Sequence, residues 1–529
     1  MLRSENIRKY MNEAVVSAKH RVFCVPYHDG LRNLVPNSKH FRHPTRGEQL
    51  VIPHHHDTVK LARNFGFRVP APILSHYDWN GDVPFKTQKI TAAMLTMNRR
   101  AYVLSEMGTG KTRATLHALN WLMLDGEVRR ALVVAPLSTL WNVWDTEVFK
   151  YFGHLSTGVL HGKRSVRKQV LEKDHDIYII NYDGVVRFLP ELLARGDIDC
   201  LVLDELGVLR TAGTDRWSAA SKLATGRKFV WGLTGSPTPN EPADAWAQVR
   251  LLTPHAVPAH HKAFKRRTMR QVSQFRWVAR DDANDTVFEV MQPAVRFKRD
   301  DCVELPPVSF QDRKVALSTE QNRVYAAMMK NLRVMFTNGE VTAANEGVLF
   351  SKLLQIAAGW VYTKDKRVIP LPNQDRIDQL LEIIDEASGK IIVFNEFIHA
   401  AHSLYETLRQ QKISCALVTG ATAAKDRTQI FHTFQDQAFP RVLVAHPKCM
   451  AHGLTLTSAN VIVWFTPTTS LETYEQACAR ITRPGQKRKQ LIIHLTGTPI
   501  ETKLYRRLQQ KKSLQGSLLE MFEHQETDE

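Results

Sequence analysis

The chain has 529 residues, room for about three to four domains, each with its own hydrophobic core. Lysine and arginine total 71 against 53 aspartates and glutamates; the formal charge of +18 favours a polyanionic partner, nucleic acid first, and leaves a merely basic soluble enzyme open. The six cysteines form no CxxC pair, which speaks against a zinc ribbon or a disulfide scaffold, and neither a secretion signal nor a membrane-length apolar run occurs, so a soluble cytoplasmic protein without membrane contact is expected.

Residues 1–80 are rich in His, Arg, Pro and Asn. "HRVFCVPY" and "EQLVIP" predict short strands, and "HHHDTVKLARNFG" predicts a helix closed by Gly66. Together they describe a small α+β module, a candidate DNA reader, protein-docking surface or cover for the lobe that follows. His54, His55 and His56 stand in a row, but adjacent side chains diverge, so a shared metal ion is not expected. From about residue 84, helical "KTQKITAAMLTM" and "KTRATLHALNWLML" alternate with apolar "AYVLS", "RALVVAP", "DIYIINY", "DCLVLDE" and "KFVWGLTG". Strands alternating with helices predict a parallel sheet, and 81–255 is assigned as a first α/β lobe. Residues 256–374 form a basic linker and helical insert. Its helix "STEQNRVYAAMMKNLRVMF" carries a core stripe of Val324, Tyr325, Met328, Met329, Leu332, Met335 and Phe336. "KIIVFNEF", "ISCALVTG", "RVLVAHP", "NVIVWFTP" and "QLIIHL" make 375–500 a second α/β lobe. Residues 501–529 read as a packing helix and an acidic tail, "EHQETDE".

Four motifs carry chemistry. "SEMGTGKT" (105–112) lies between a strand and a helix. Gly108 and Gly110 let the backbone curl around phosphate, Lys111 neutralises the terminal phosphates, and Thr112 can reach Mg²⁺. Ser105 stands where the full P-loop pattern has its first glycine. "LVLDE" ends in Asp204 and Glu205, one carboxylate for Mg²⁺ and one to orient the attacking water. Thr234, Gly235 and Ser236 of "GLTGSPTPN" follow a strand and could sense the phosphate end. In "QACARITRPGQ", Arg480 and Arg483 are three apart, a spacing that shares one helix face and suits arginine fingers, or simply a solvated basic face.

In this order, and over roughly 84–500, the motifs resemble those of the Swi/Snf-type translocases of helicase superfamily two. "PFKTQK" resembles the glutamine motif, with Gln88 on adenine. "SEMGTGKT" resembles DEMGLGKT, adding Met107 and Thr109 to the ATP contacts. "VVAPLSTLWNVW" resembles a DNA-contacting motif, with Ser138 and Trp144, and "INYDGV" the next such segment. "DELG" resembles DEAH, and "LTGSPTPN" resembles LTGTPIQN. "HPKCMAHGLTLTSAN" carries over Gly453, assigned to ATP, Leu454, with no assigned role, and Thr457, assigned to DNA. "QACARITRPGQ" carries over Gln476 (ATP), Arg480, Arg483, Gly485 and Gln486 (coupling). The compact chain is similar to small phage and bacterial forms. Ala451 and His452 replace a glycine pair, Ala479 replaces an acid, and Leu206 and Gly207 replace Ala-His.

The resemblance implies two RecA-like lobes, ATP and Mg²⁺ as cofactors, and ATP-driven movement on double-stranded DNA. The groups that hydrolysis requires are all present, so the missing histidine bears on DNA control of the ATPase rather than on hydrolysis. A strand-separating DNA or RNA helicase, a nucleic-acid-binding scaffold with weak ATPase, and the motor half of a nuclease complex remain alternatives.

Overall fold

The computed structural model describes residues 13–79, 83–238, 241–272, 277–298, 301–302, 306–337, 343–362, 367–450, 455–483 and 485–510, without the side chains of 331–347, 349 and 424. The chain divides into two compact units, one formed mainly by residues up to Cys302 and the other mainly by Val303 onwards.

The first unit begins with a four-stranded antiparallel sheet: β1 (Val15–Ser17), β2 (Val22–Pro26), β3 (Lys39–His43) and β4 (Gly47–Pro53), in the order β1-β2-β4-β3. Alternation decides which face is buried. Phe23 and Val25 of β2 point inward with Leu50 and Ile52 of β4. Helices α1 (Asp29–Leu34) and α2 (His56–Asn64) cover that face, and Gly66 follows α2 in a left-handed conformation, φ +84°. The core does not stop at residue 80. Phe23, Leu50 and Val59 belong to the same buried cluster as Leu95, Leu116 and Val133. Two of the three adjacent histidines have ring partners here, and one of these partners lies past residue 80. His54 Nε2 meets the Pro70 carbonyl at 2.9 Å, its Nδ1 meets His76 Nε2 at 2.8 Å, and His56 Nε2 meets the Met97 carbonyl at 3.2 Å. Among the described residues no group of three or more His, Cys, Asp or Glu is gathered as a metal site.

The module runs through α3 (Lys86–Met97) into a seven-stranded, wholly parallel sheet. Its strands are β5 (Arg100–Val103), β6 (Arg130–Ala135), β7 (Thr157–Val159), β8 (Ile177–Asn181), β9 (Ile198–Asp204), β10 (Phe229–Leu233) and β11 (Ala294–Val295), in the order β11-β5-β10-β9-β6-β8-β7. The central strands are buried along their length, as a sheet covered on both faces requires. The last strand lies well past residue 255. The stretch assigned to a linker contributes helices His261–Thr268 and Ala283–Val290 and then β11, beside β5. Two strand residues are too few to show a period, so the sequence hid them.

The second unit holds a six-stranded parallel sheet of β12 (Val308–Lys314), β13 (Lys390–Phe394), β14 (Cys415–Val418), β15 (Val442–Ala445), β16 (Ala459–Trp464) and β17 (Gln490–Thr496), in the order β12-β17-β16-β13-β15-β14. β12 also falls inside the expected insert. "VSFQDRK" is mostly polar because it is an edge strand and largely exposed, yet all seven of its residues pair with β17. Tyr325, Met328 and Met329 of the long helix Thr319–Thr337 pack on this lobe's core, while the side chains of Leu332, Met335 and Phe336 lie outside the described ones. Arg376, 1% exposed, forms a buried ion pair with Glu501 at 2.8 Å. Glu501 also accepts the backbone N–H groups of Gly497 and Thr498, which docks the helix Pro499–Gln509. The acidic tail lies outside the described residues. No described helix is long and apolar enough to cross a membrane.

Candidate active site

The first lobe brings three of the motifs to the carboxyl ends of adjacent strands. β10 lies between β5 and β9, with Leu233 in register with both Val103 and Asp204. The residues that follow each strand therefore converge: the phosphate loop after β5, Glu205 after β9, and Thr234 after β10.

The phosphate loop turns on Gly108 (φ +81°) and Gly110 (φ +75°) and delivers Lys111 as the first residue of α4 (Lys111–Leu124). The Lys111 ammonium donates to the carbonyls of Ser105 at 2.8 Å and Glu106 at 3.1 Å. Thr109 Oγ1 donates to the Glu106 carbonyl at 2.8 Å, and Thr112 sits half-buried in the first turn of α4. Gln88 braces the loop from α3. Its Oε1 accepts the Phe85 N–H at 2.9 Å and its Nε2 donates to the Gly110 carbonyl at 3.4 Å. A Cβ on Gly110 would come within 2.0 Å of that amide. Ser105 Oγ accepts the Phe297 N–H at 3.1 Å, and the Glu106 N–H donates to the Phe297 carbonyl at 2.9 Å. The segment leaving β11 thus fastens the first residues of the loop, a partner the sequence did not reveal. Gly235 lies over Met107, where a Cβ would sit 3.5 Å from Met107 Cγ.

Asp204 is gripped from three sides. Its Oδ2 accepts the Trp144 indole N–H at 2.9 Å, its Oδ1 accepts the Glu205 N–H at 3.0 Å, and its carbonyl accepts the Tyr182 hydroxyl at 2.7 Å. The residue keeps one edge open to solvent, but burial of the carboxyl raises its pKa from the ordinary aspartate value, against the Trp144 bond and the nearby Lys111 charge. Glu205 holds a left-handed backbone, φ +56° and ψ +56°, which costs a non-glycine residue about 1–3 kcal/mol. Thr234 Oγ1, fully buried, donates to Glu205 Oε1 at 3.5 Å and accepts the Ser236 N–H at 3.2 Å. Leu206 is buried in the lobe's core, against Gly232. A Cβ on Gly207 would meet the Ser236 carbonyl at 3.6 Å and Thr234 Oγ1 at 3.8 Å, so a Cβ fits there in ordinary contact with Thr234.

Trp144 requires a correction. Expected to touch DNA, it is 0% exposed and spends its indole N–H on Asp204. A ring sealed in the core cannot meet a polymer. Ser138 is exposed, and so is Trp141, 41% accessible, in the same run. Two tryptophans three apart look alike in sequence; the π-helical turn Leu140–Asp145 decides which one faces inward.

In the second lobe, the helix Leu471–Cys478 carries Gln476, buried, with its Nε2 on Glu472 Oε1 at 3.1 Å. The helix ends at Cys478, so Arg480 and Arg483 do not share a helix face as expected. They occupy the turn that follows, and the proline after Arg483 disfavours helical backbone there. Arg480 is 1% exposed, with its Nε on the Gln476 carbonyl at 2.8 Å. Arg483 is half-buried, donates to Thr455 Oγ1 at 3.2 Å, and has its pKa pushed down to about 10 by burial. Thr457 Oγ1, also half-buried, accepts the Gln435 amide at 3.4 Å. Gln486 ties the turn together, donating to the carbonyls of Ala459 at 2.8 Å and Ile481 at 3.2 Å. Gly485 adopts φ +98°. Gly453 and Leu454 lie outside the described residues.

Residues 375–485 match the helicase conserved C-terminal domain. Among curated relatives, "Putative protein p41" of Acyrthosiphon pisum secondary endosymbiont phage 1 is 26% identical over 80% of this chain and 95% of its own length. "Uncharacterized ATP-dependent helicase MG018" of Mycoplasma genitalium is 26% identical over 77% of this chain but only 39% of its own length. Of the solved structures, the Sulfolobus solfataricus SWI2/SNF2 ATPase core in complex with dsDNA aligns with 22% identity and a TM-score of 0.40, over 84% of this chain and 95% of that one. Residues 90–358, more than half of the chain, match the SNF2-related domain, and the chain belongs to this family of helicase-type ATPases.

Proposed function

We propose that the protein is an ATP-driven translocase on double-stranded DNA. The observation that carries the reading is the convergence, at three neighbouring strand ends, of Lys111, the pair Asp204 and Glu205, and Thr234. This is the equipment for phosphoryl transfer to water. The loop from Met107 to Thr112 cradles the phosphates, and Gln88 closes on the adenine side. Lys111 exchanges its two carbonyl partners for phosphate oxygens. Thr112 and Asp204 are the residues that would hold Mg²⁺. The donor set fits a divalent cation, because it pairs a hydroxyl in the first turn after the phosphate loop with a carboxylate held in place by Trp144, both oxygen donors. Bound there, Mg²⁺ would supply neutralisation of phosphate charge. Trp144 fixes the Asp204 carboxylate, and Thr234 orients Glu205, which positions the attacking water. Arg480 and Arg483 of the second lobe are assigned to the transferring phosphate, Gln476 to the nucleotide, and Gln486 to the rigidity of their turn.

The surplus of +18 supports a nucleic-acid track held largely through its phosphates, with binding that weakens as salt rises. Ser138 and Thr457 are the proposed contacts on the two lobes. The test is ATP hydrolysis without nucleic acid and then with duplex DNA, single-stranded DNA and RNA, beside Glu205→Gln. Strong stimulation by duplex DNA, absent in the variant, is the expected result. Stimulation by single strands alone would turn the reading towards a strand-separating helicase, and no turnover above the variant would leave an ATP-binding scaffold.

A further inference from the structure

The first lobe carries a polar cavity of about 720 Å³ apart from the phosphate loop. One wall is the helix Tyr182–Ala194, which presents Asp183 and Arg187. The other is the chain leaving the site, with Val208, Arg210, Thr211 and Arg216. Both walls are tied to the carboxylate pair. Tyr182, first residue of the helix, donates its hydroxyl to the Asp204 carbonyl. On the other side the tight turn Leu206–Leu209 starts directly from Glu205. The Val208 N–H donates to the Glu205 carbonyl at 3.0 Å, and Arg210 Nη1 donates to the Gly207 carbonyl at 3.4 Å. Asp183 and Arg216 join the walls through two bonds, at 2.7 and 3.0 Å.

The lining fits an anion. Of its two carboxylates, Asp183 is already paired with Arg216, and Asp215 lies in the first turn of the helix Asp215–Ala224, where the helix end offsets it. Arg187 is exposed and makes no ion pair among the described residues. Guanidinium groups bind phosphate oxygens in pairs. We propose that this cavity takes backbone phosphates of the DNA track and reports its occupancy to Glu205, an inference that rests on the translocase reading. Arg187 supplies the anchoring charge. Arg210 is the reporter, because it both lines the cavity and holds the carbonyl of Gly207, two residues after Glu205. A phosphate that draws Arg210 away loosens the turn that keeps Glu205 in its left-handed backbone. Track binding can then set the hydrolysis rate from this side, although position 207 offers no side chain towards Thr234.

The test uses the full chain and three variants, Arg187→Glu, Arg187→Lys and Arg210→Gln, each first matched to wild type in thermal midpoint; a variant that fails this match is replaced by Arg187→Gln or Arg210→Lys. ATP hydrolysis is titrated with duplex DNA, and DNA binding is followed separately by fluorescence anisotropy. Arg187→Glu is expected to raise the half-stimulating DNA concentration about tenfold or more and to flatten the salt dependence of binding by about one phosphate contact, with Lys restoring most of both. Arg210→Gln is expected to bind DNA within about threefold of wild type, while the ratio of stimulated to unstimulated rate falls towards one. Wild-type half-stimulation in Arg187→Glu, or a wild-type ratio in Arg210→Gln, overturns the inference. Stimulation of the wild type by inorganic phosphate alone also overturns it, since the site would then serve a free anion. A wild type that hydrolyses ATP without any response to DNA sinks the translocase reading itself, a result distinct from these.

Discussion

Replacing Trp144 by phenylalanine keeps most of the buried ring and removes one interaction, the 2.9 Å hydrogen bond to Asp204 Oδ2. A hydrogen bond to a charged group contributes about 1.5–3 kcal/mol, and each 1.36 kcal/mol is a factor of ten in rate. If that bond serves to hold the carboxylate in its working position, Trp144→Phe should lower kcat for ATP hydrolysis about 10- to 150-fold, with and without DNA. The Mg²⁺ concentration for half-maximal rate should rise in step, while the half-stimulating DNA concentration should stay near wild type. Steady-state hydrolysis with Mg²⁺ and DNA each titrated separates these quantities, and thermal unfolding checks that the core still closes. The assignment fails if the variant loses DNA affinity while its DNA-free rate and Mg²⁺ dependence are intact. That pattern belongs to a side chain on the track, which a fully buried indole cannot be.

Gly110→Ala should weaken ATP binding at least tenfold in equilibrium titration, because a Cβ meets the buried Gln88 amide at 2.0 Å on a backbone with φ +75°; wild-type affinity would show that the brace is dispensable. Arg376→Ala should cost the second lobe about 3–5 kcal/mol in denaturant unfolding, since it leaves Glu501 buried without a countercharge; an unchanged midpoint would contradict this. Burial lowers the pKa of His76 and His117 to about 4, so both are neutral in the fold and take up a proton first when it opens. Their stabilisation is full above about pH 6.5 and is lost as pH falls towards 4, by about 1.4 kcal/mol per pH unit for His117 and less for the more open His76. Thermal midpoints between pH 7 and 4.5 should therefore fall less steeply in His117→Asn than in wild type, and equal slopes would refute the assignment.

Much of this was legible because parallel strands buried on both faces are written as unbroken apolar runs. "AYVLS" and "DCLVLDE" announced β5 and β9, and the strand ends that lead to Lys111 and carry Asp204 came with them. What stayed hidden lacked such a run. β11 has two residues, and β12 is a polar edge strand whose pairing with β17 spans a long sequence separation. At the site, residue types were readable but directions were not. Trp144 and Trp141 are equally aromatic, and only the packed turn assigns one to Asp204 and the other to solvent. Arg480 and Arg483 suited a helix face until the helix ended two residues before the first of them. Tyr182, quoted as part of a DNA-contacting segment, is buried with its hydroxyl on the Asp204 carbonyl. The left-handed backbone of Glu205 left no trace in the sequence, since a glutamate there looks like any other.

The claim that ATP hydrolysis moves this protein along duplex DNA is tested most directly by displacement of a third strand from a triplex placed on an otherwise uninterrupted duplex. Translocation predicts release of the third strand that requires ATP, is absent in Glu205→Gln, and leaves the duplex strands paired. ATP hydrolysis stimulated by the same duplex, with the third strand still bound, would contradict it.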